Sequence, residues 1–187
     1  SPYGASKCAA RHIVKVYRDS YNLFAIHCIL FNHESILRGK QFVTRKITSN
    51  LAYIKYKIEK QESFDCFELG NIDARRDWSY SNDFMEAIWI MLNQDKPDEY
   101  ILSSNKDYSI KEFINMCCKS LKLDYTWELD EDPLNTKMYI NKKLAITINE
   151  KYYRPAEIHI MRGDSRETYK KIQWEPKTSL QEMINIM

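Results

Sequence analysis

Glycine is scarce in this chain: 187 residues hold four, widely scattered, so no Gly-x-x-Gly-x-x-Gly loop is present to let a backbone close around a phosphate. Long apolar runs are lacking too. The longest, residues 23–31, is broken by His27 and is far shorter than the ~20 residues a membrane-crossing helix needs, which argues against a membrane partner. Neither sign of charge dominates. Lys and Arg total 28 against 26 Asp and Glu, net +2 and interleaved, so no long-range field favours nucleic acid. The five cysteines (Cys8, Cys28, Cys66, Cys117, Cys118) are odd in number and show no Cys-x-x-Cys or Cys/His zinc spacing. That argues against a disulfide framework and a metal site, and predicts reduced, buried thiols in a cytoplasmic protein. No signal peptide or transit segment is visible at Ser1.

What is present suits a folded core. The apolar fraction is 44%, with 13% aromatic residues, enough for one domain or one and a fraction. Ala9, Ile13 and Val16 recur at helical spacing and predict a helix over 4–21, closed by Asn22. Residues 23–31 then read as a strand apolar on both faces, as in a covered parallel sheet. Helix, turn and buried strand form half of a βαβ unit. Residues 32–41 are polar, contain Gly39 and are expected to be a loop beyond the strand's C-terminal end, where open α/β sheets bind ligands. Helix is expected again over 42–57, a strand over 63–69, a turn at Gly70 and Asn71, a short strand over 75–78, and a helix capped by Ser81 or Asn82. A strand over 99–103 follows, then a capping box from Ser109 to Glu112 opening a helix. Strands over 125–129 and 144–148 flank an acidic loop at 130–136, and Ser165 and Ser179 cap the last helices. The class is α/β.

Several polar groups suggest chemistry. Tyr3 and Lys7 stand four residues apart, hence on one helix face. Free tyrosine titrates near pH ~10 and is a poor base, but a neighbouring ammonium favours a phenolate. Taken alone, the pair reads equally as solvated residues at a helix start. A functional-looking pair at the first residues also leads to the expectation that further chain precedes Ser1. His33 and Arg38 follow the apolar strand; alone they read as a loop histidine and a solvated charge. Arg75–Asp77 reads as an edge strand with an ion pair, and residues 152–157 as a rigid turn in which Arg154 and Glu157 pair. Together, Lys46, Arg76 and Arg154 suit a diphosphate, because guanidinium groups fork onto phosphate oxygens.

These motifs, in order, resemble the extended short-chain dehydrogenase/reductase family in its nucleotide-sugar-modifying form. Ser1-Pro-Tyr-Gly-Ala-Ser-Lys7 is similar to its Tyr-x-x-x-Lys motif. Ile29-Leu-Phe-Asn-His-Glu-Ser35, Arg38-Gly39, Phe42-Val-Thr-Arg-Lys-Ile47, Leu69-Gly-Asn-Ile-Asp-Ala-Arg-Arg-Asp-Trp78, Tyr152-Tyr-Arg-Pro-Ala-Glu157, Gly163-Asp164 and Trp174-Glu-Pro-Lys177 resemble the GDP-mannose 4,6-dehydratase branch of that family, in its C-terminal half. The resemblance runs over the whole chain.

The resemblance implies a fold: the C-terminal part of a Rossmann-type NAD(P)-binding domain (residues 1–31 and about 81–104) plus the smaller sugar-nucleotide-binding α/β domain (about 32–80 and 105–187). It implies Tyr3 as catalytic base and Lys7 as its partner on the nicotinamide ribose, with Tyr3, Lys7, His33 and Arg38 contacting NADP. Asn32, Val43, Lys46, Arg76, Arg154 and Glu157 would line the GDP-mannose site. The implied reaction is an NADP-dependent dehydration of GDP-mannose to GDP-4-dehydro-6-deoxy-D-mannose, on the path to GDP-fucose, by a homodimer or homotetramer. Departures exist. Ile36 replaces a usual proline, and Ser79-Tyr80 a usual Gly-His pair. The glycine loop, and the Thr/Ser and Glu that family members carry upstream of the tyrosine, have no counterpart in these residues, so this chain alone is expected to be inactive. The competing readings are another nucleotide-sugar epimerase, dehydratase or reductase of the extended family, or a non-catalytic fragment.

Overall fold

The computed structural model describes residues 1–153 and 157–187. In chain order the elements are α1 (Pro2–Tyr21), β1 (His27–Leu30), β2 (Asn32–Glu34), α2 (Val43–Glu59), β3 (Phe67–Leu69), β4 (Arg75–Arg76), β5 (Trp78–Tyr80), α3 (Ser81–Leu92), β6 (Glu99–Leu102), β7 (Tyr108–Ser109), α4 (Ile110–Ser120), β8 (Tyr125–Glu128), β9 (Lys137–Ile140), β10 (Lys143–Ile148), β11 (Ile160–Met161), α5 (Arg166–Ile172) and α6 (Leu180–Ile186).

Local chemistry explains most of the boundaries. Ser1 caps α1 by accepting the Gly4 N–H at 3.1 Å, and Pro2 sits at the first helical position, where its missing N–H costs nothing. Helix therefore begins two residues before the expected 4. Asn22 ends α1 in the left-handed region at φ 52°. The predicted capping box is present: Ser109 Oγ accepts the Glu112 N–H at 3.0 Å while Glu112 accepts the Ser109 N–H at 2.6 Å. Ser179 and Glu182 repeat the device at α6.

Other expectations need correcting. The 23–31 strand shrinks to His27–Leu30, and β1 is not covered on both faces: Cys28 and Leu30 pack against the cluster that holds Phe84 and Met91 of α3, while Ile29, on the other face, is 41% exposed. The expected 32–41 loop opens with a strand, since β2 pairs in parallel with β5 (Asn32 with Trp78). The 63–69 strand is confined to Phe67–Leu69. Arg75 and Arg76 are no edge, lying between β11 and β7. β9 was unforeseen; it buries Met138 and Ile140 between β8 and β10. Neither Ser81 nor Asn82 caps α3, whose N-cap is Tyr80 without a side-chain bond. Ser165 precedes α5 but turns its hydroxyl to Ser103 Oγ at 2.7 Å.

Two apolar clusters hold these pieces together. The larger joins α2, α4 and α6 to the β3-β10-β9-β8 sheet through Ile47, Leu51, Phe113, Ile114, Met138 and Ile146. The smaller joins α3 and α5 to β6 through Phe84, Met91, Leu102, Ile172 and Trp174. β6 runs parallel to β1 in register from His27–Glu99 to Leu30–Leu102. α1 buries none of its residues; Ile13, Val16, Tyr17 and Tyr21 are all exposed.

The thiols divide. Cys117 and Cys118 are buried and Cys28 half-buried, but Cys8 and Cys66 are exposed, so the expectation of buried thiols holds for part of the set. Burial pushes Cys28 up to about 11 and Cys118 up to about 12, and raises Cys117 as well. Alkylation of the native protein at neutral pH is thus expected to label Cys8 and Cys66 first and leave the other three until unfolding. Equal labelling of all five, read by mass spectrometry, would contradict the packing.

Candidate active site

β1 and β2 run in succession, with Phe31 between them, and end beside the first turn of α2; β4 and β5 lie opposite. The gap between these elements is a cavity of about 810 Å³. Tyr3, Asn32, His33, Arg38, Val43, Lys46, Arg76 and Glu157 all line it. They come from the first turn of α1, from β2, the following loop, α2, β4 and the segment before β11. Lys7 is not among the lining residues; its Nζ stands 5.4 Å from the centroid of the Tyr3 ring. Tyr3 itself is 71% exposed at one rim. Arg154 lies outside the described residues.

Each side chain has a reason for its position. His33 donates its Nδ1–H to the Phe31 carbonyl at 2.9 Å, and its ring tilts against Phe84 at 5.6 Å. Lys46 places its ammonium 3.9 Å over the Tyr152 ring. Arg38 lies 3.6 Å over the Phe42 ring, and its Nε is 3.2 Å from Glu34 Oε2. That pair is an electrostatic contact without hydrogen-bond alignment, since Arg38 Nε is buried with no hydrogen-bond partner among the described residues.

Arg76 is held differently. Its Nη1 donates to the carbonyls of Arg75 at 2.8 Å and Ile158 at 2.6 Å, and Nη2 donates to Glu157 Oε1 at 2.6 Å. Glu157 pairs with Arg76 because β4 pairs with β11 and brings residue 157 beside Arg76; the Arg154–Glu157 pairing expected from the turn involves a residue outside the described ones. Among the described residues the bonds of Arg76 leave its Nε–H and one Nη2–H without a partner.

Behind β4 and β5, Asp77 is fully buried. Its Oδ1 accepts the Ser104 N–H at 2.7 Å and its Oδ2 the Gly163 N–H at 3.3 Å, tying β6's exit and the β11 exit to the bend before Trp78. Burial raises its pKa, with those N–H groups opposing. The folded state thus keeps this proton to higher pH than the unfolded chain, whose aspartates titrate near ~3.9. The contribution to stability is complete below that value and lost as pH rises through the folded pKa. The stability of wild type minus Asp77→Asn should accordingly fall as pH rises from about 4; a difference constant with pH, measured by urea unfolding, would refute the assignment.

Sequence reasoning missed some of the wall. Glu34, Thr44 and Tyr152 line the same cavity. Glu34 and Tyr152 sat inside quoted motifs without a role, and the signal available was strand alternation placing Glu34 on the face of Asn32. Among the described residues, no three His, Cys, Asp or Glu side chains gather in a way that could hold a metal ion, and no helix is long and apolar enough to cross a membrane.

The architecture is shared. Solved structures similar to this chain include the RMD protein of Pseudomonas aeruginosa complexed with NADPH, with TM-score 0.74 at 18% identity, covering 99% of this chain and 53% of that one. The dTDP-glucose 4,6-dehydratase of Bacillus anthracis in complex with NAD gives TM-score 0.72 at 18% identity, covering 99% and 50%. At such identities they establish the shared α/β fold alone.

Sequence relatives are nearer. The chain is 37% identical to the GDP-mannose 4,6 dehydratase of Cricetulus griseus over 187 residues, covering 100% of this chain and 49% of that protein. It is 38% identical to the GDP-mannose 4,6-dehydratase of Vibrio cholerae over 193 residues, covering 98% and 50%. The chain thus spans about half the length of the curated relatives it matches. The family profile described as GDP-mannose 4,6 dehydratase matches residues 1–187. With every motif from Tyr3 to Lys177 inside that match, the chain belongs to the GDP-mannose 4,6-dehydratase family.

Proposed function

We propose that residues 1–187 supply the tyrosine–lysine pair and the sugar-nucleotide pocket of an NADP-dependent GDP-mannose 4,6-dehydratase, a hydro-lyase forming GDP-4-dehydro-6-deoxy-D-mannose for GDP-fucose and other deoxysugars. One observation carries the reading. Eight residues to which the family resemblance gives roles, dispersed from position 3 to position 157, line a single cavity.

The nicotinamide cofactor has a fitting donor in this chain. Arg38 borders the cavity with its buried Nε turned to Glu34 and its terminal nitrogens Nη1 and Nη2 making no hydrogen bond among the described residues, which suits phosphate oxygens. Bound NADP would supply a hydride acceptor for C4 of the sugar and the donor that returns the hydride to C6. Tyr3 takes the proton of the C4 hydroxyl, and the Lys7 ammonium close to its ring favours negative charge on the oxygen. The two unengaged donors of Arg76, with Lys46, hold the diphosphate. The Asn32 amide serves a sugar hydroxyl, and Glu157, besides orienting Arg76, keeps a carboxylate oxygen for a ribose hydroxyl. The C5 proton and the C6 hydroxyl leave as water, the hydride taken from C4 ends on C6, and C5 takes back a proton equivalent to the one Tyr3 removed from the C4 hydroxyl, so one water is lost overall.

In this reading α1, β1, α3 and β6 belong to the cofactor domain and the larger cluster to the substrate domain; α5, within the 105–187 stretch given to the substrate domain, packs against α3 and β6. The protein is cytoplasmic and assembles as a homodimer or homotetramer. Incubating the complete gene product containing these residues with GDP-mannose or UDP-glucose tests the assignment. Loss of one water from GDP-mannose is expected, and turnover of the UDP-sugar alone overturns the reading. Residues 1–187 alone, with Tyr3 exposed and no glycine loop, should give no turnover.

A further inference from the structure

Glu34 is the buried group that the proposed mechanism leaves without a task. It ends β2, is 2% exposed, and lines the cavity. A carboxylate so placed is tolerated only with partners. Among the described residues it has two, both converging on Oε2: the Thr44 hydroxyl donates at 2.7 Å, and Arg38 Nε stands at 3.2 Å. Thr44 is itself 1% exposed in the first turn of α2. Arg38 lies in the loop that joins β2 to that turn.

The loop is built to lean on this carboxylate. Arg38 N–H donates to the Ser35 carbonyl at 3.0 Å, Phe42 N–H to the Gly39 carbonyl at 3.0 Å, and Leu37 N–H to Ser35 Oγ at 3.2 Å. Phe42 lies under the guanidinium. Glu34 stands before the excursion and Thr44 after it, so one carboxylate closes its base and grips Arg38 by the inner, Nε side. The outer nitrogens Nη1 and Nη2 make no hydrogen bond among the described residues, whereas those of Arg76 are largely engaged.

We infer that Glu34 is the positioning residue of the cofactor site, holding Arg38 with its two terminal nitrogens presented to a phosphate of the nicotinamide dinucleotide. The inference rests on the cofactor reading given above. Glu34 touches no ligand; it acts through Arg38. Its separate bond to Thr44 fixes the start of α2, so the two connections can be told apart by substitution. Glu34→Gln keeps an acceptor for Thr44 and removes the charge facing Arg38. Glu34→Ala removes both.

The test is NADPH binding to the complete gene product, followed by nicotinamide fluorescence, with GDP binding as the internal reference. Glu34→Gln should weaken NADPH about tenfold and leave GDP affinity within about twofold, and Arg38→Ala should do the same. The double variant should bind NADPH no worse than Arg38→Ala alone, because the two residues act as one unit. Additive losses, or an equal loss of GDP affinity in Glu34→Gln, would overturn the positioning role. Should Glu34→Ala fail to fold, Glu34→Gln carries the comparison. Wild-type protein that binds no NADPH overturns the cofactor reading and this inference with it, an outcome distinct from additivity in a wild type that does bind.

Discussion

Tyr3→Phe is expected to lower kcat for GDP-mannose in the complete gene product by about a thousandfold while leaving GDP affinity unchanged. The substitution deletes one oxygen and keeps the ring. Tyr3 sits in the first turn of α1, at a helix start fixed by the Ser1 cap and Pro2, so the backbone that carries it is unaffected. Its ring remains 71% exposed, so no core packing is lost. What disappears is the acceptor for the C4 hydroxyl proton. Without it the hydride has no alkoxide-like carbon to leave, and the whole sequence stalls at its first step. A loss in kcat of this size with intact binding is the signature of a group acting only in the transition state. A variant within threefold of wild type would remove Tyr3 from the mechanism.

The second large effect concerns the frame. Gly163→Ala should destabilise the fold by about 3 kcal/mol, read as a lower denaturant midpoint. Its backbone is not in the positive-φ region, so the requirement is closeness and not conformation. A Cβ there would meet Ser103 Cβ at 2.3 Å and Phe31 Cε2 at 2.8 Å. Neither neighbour can give way easily. Ser103 is fully buried and hydrogen-bonded to Ser165, and Phe31 lies between β1 and β2 on the cavity wall. The added methyl also forces Gly163 N–H away from Asp77 Oδ2, loosening the buried carboxylate that joins β4 to the β6 and β11 exits. Unchanged stability would show that this junction is softer than its contacts indicate.

Local signals in the sequence specified local structure well. The capping boxes at Ser109 and Ser179 and the stop at Asn22 are written in adjacent residues, and all are present. Strands near 23–31 and 99–103 were legible from apolar runs separated by helical patterns, and the structure pairs them in parallel. Partner choice was not legible. Glu157 pairs with Arg76, 81 residues away, because β4 and β11 are neighbours, a fact no window of sequence contains. β9 was hidden by its polar edges Lys137 and Tyr139; its two core residues acquire meaning once β8 and β10 flank it. β2 reads as a polar loop because one short strand in a two-stranded pair needs little apolar pattern.

The site was legible in a different way. Lys46, Arg76 and Arg154 were recognisable as phosphate-binding types, and their motifs matched a family. Periodicity alone left Tyr3 and Lys7 as solvated residues, and their exposure agrees with that bland reading as far as burial goes. What changes the weight is convergence on one cavity, which depends on tertiary structure. Glu34 escaped notice because its importance lies in a contact with Arg38 and Thr44, and burial of a carboxylate cannot be inferred from a polar tetrapeptide.

The most direct test of the central claim uses GDP-mannose deuterated at C4 and the complete gene product with a catalytic amount of NADP. If Tyr3 removes the hydroxyl proton while C4 hydride is stored and returned inside one closed cavity, the deuterium appears at C6 of the deoxysugar product by NMR, and no reduced cofactor accumulates. Deuterium found in free reduced cofactor, or lost to water, would contradict the account.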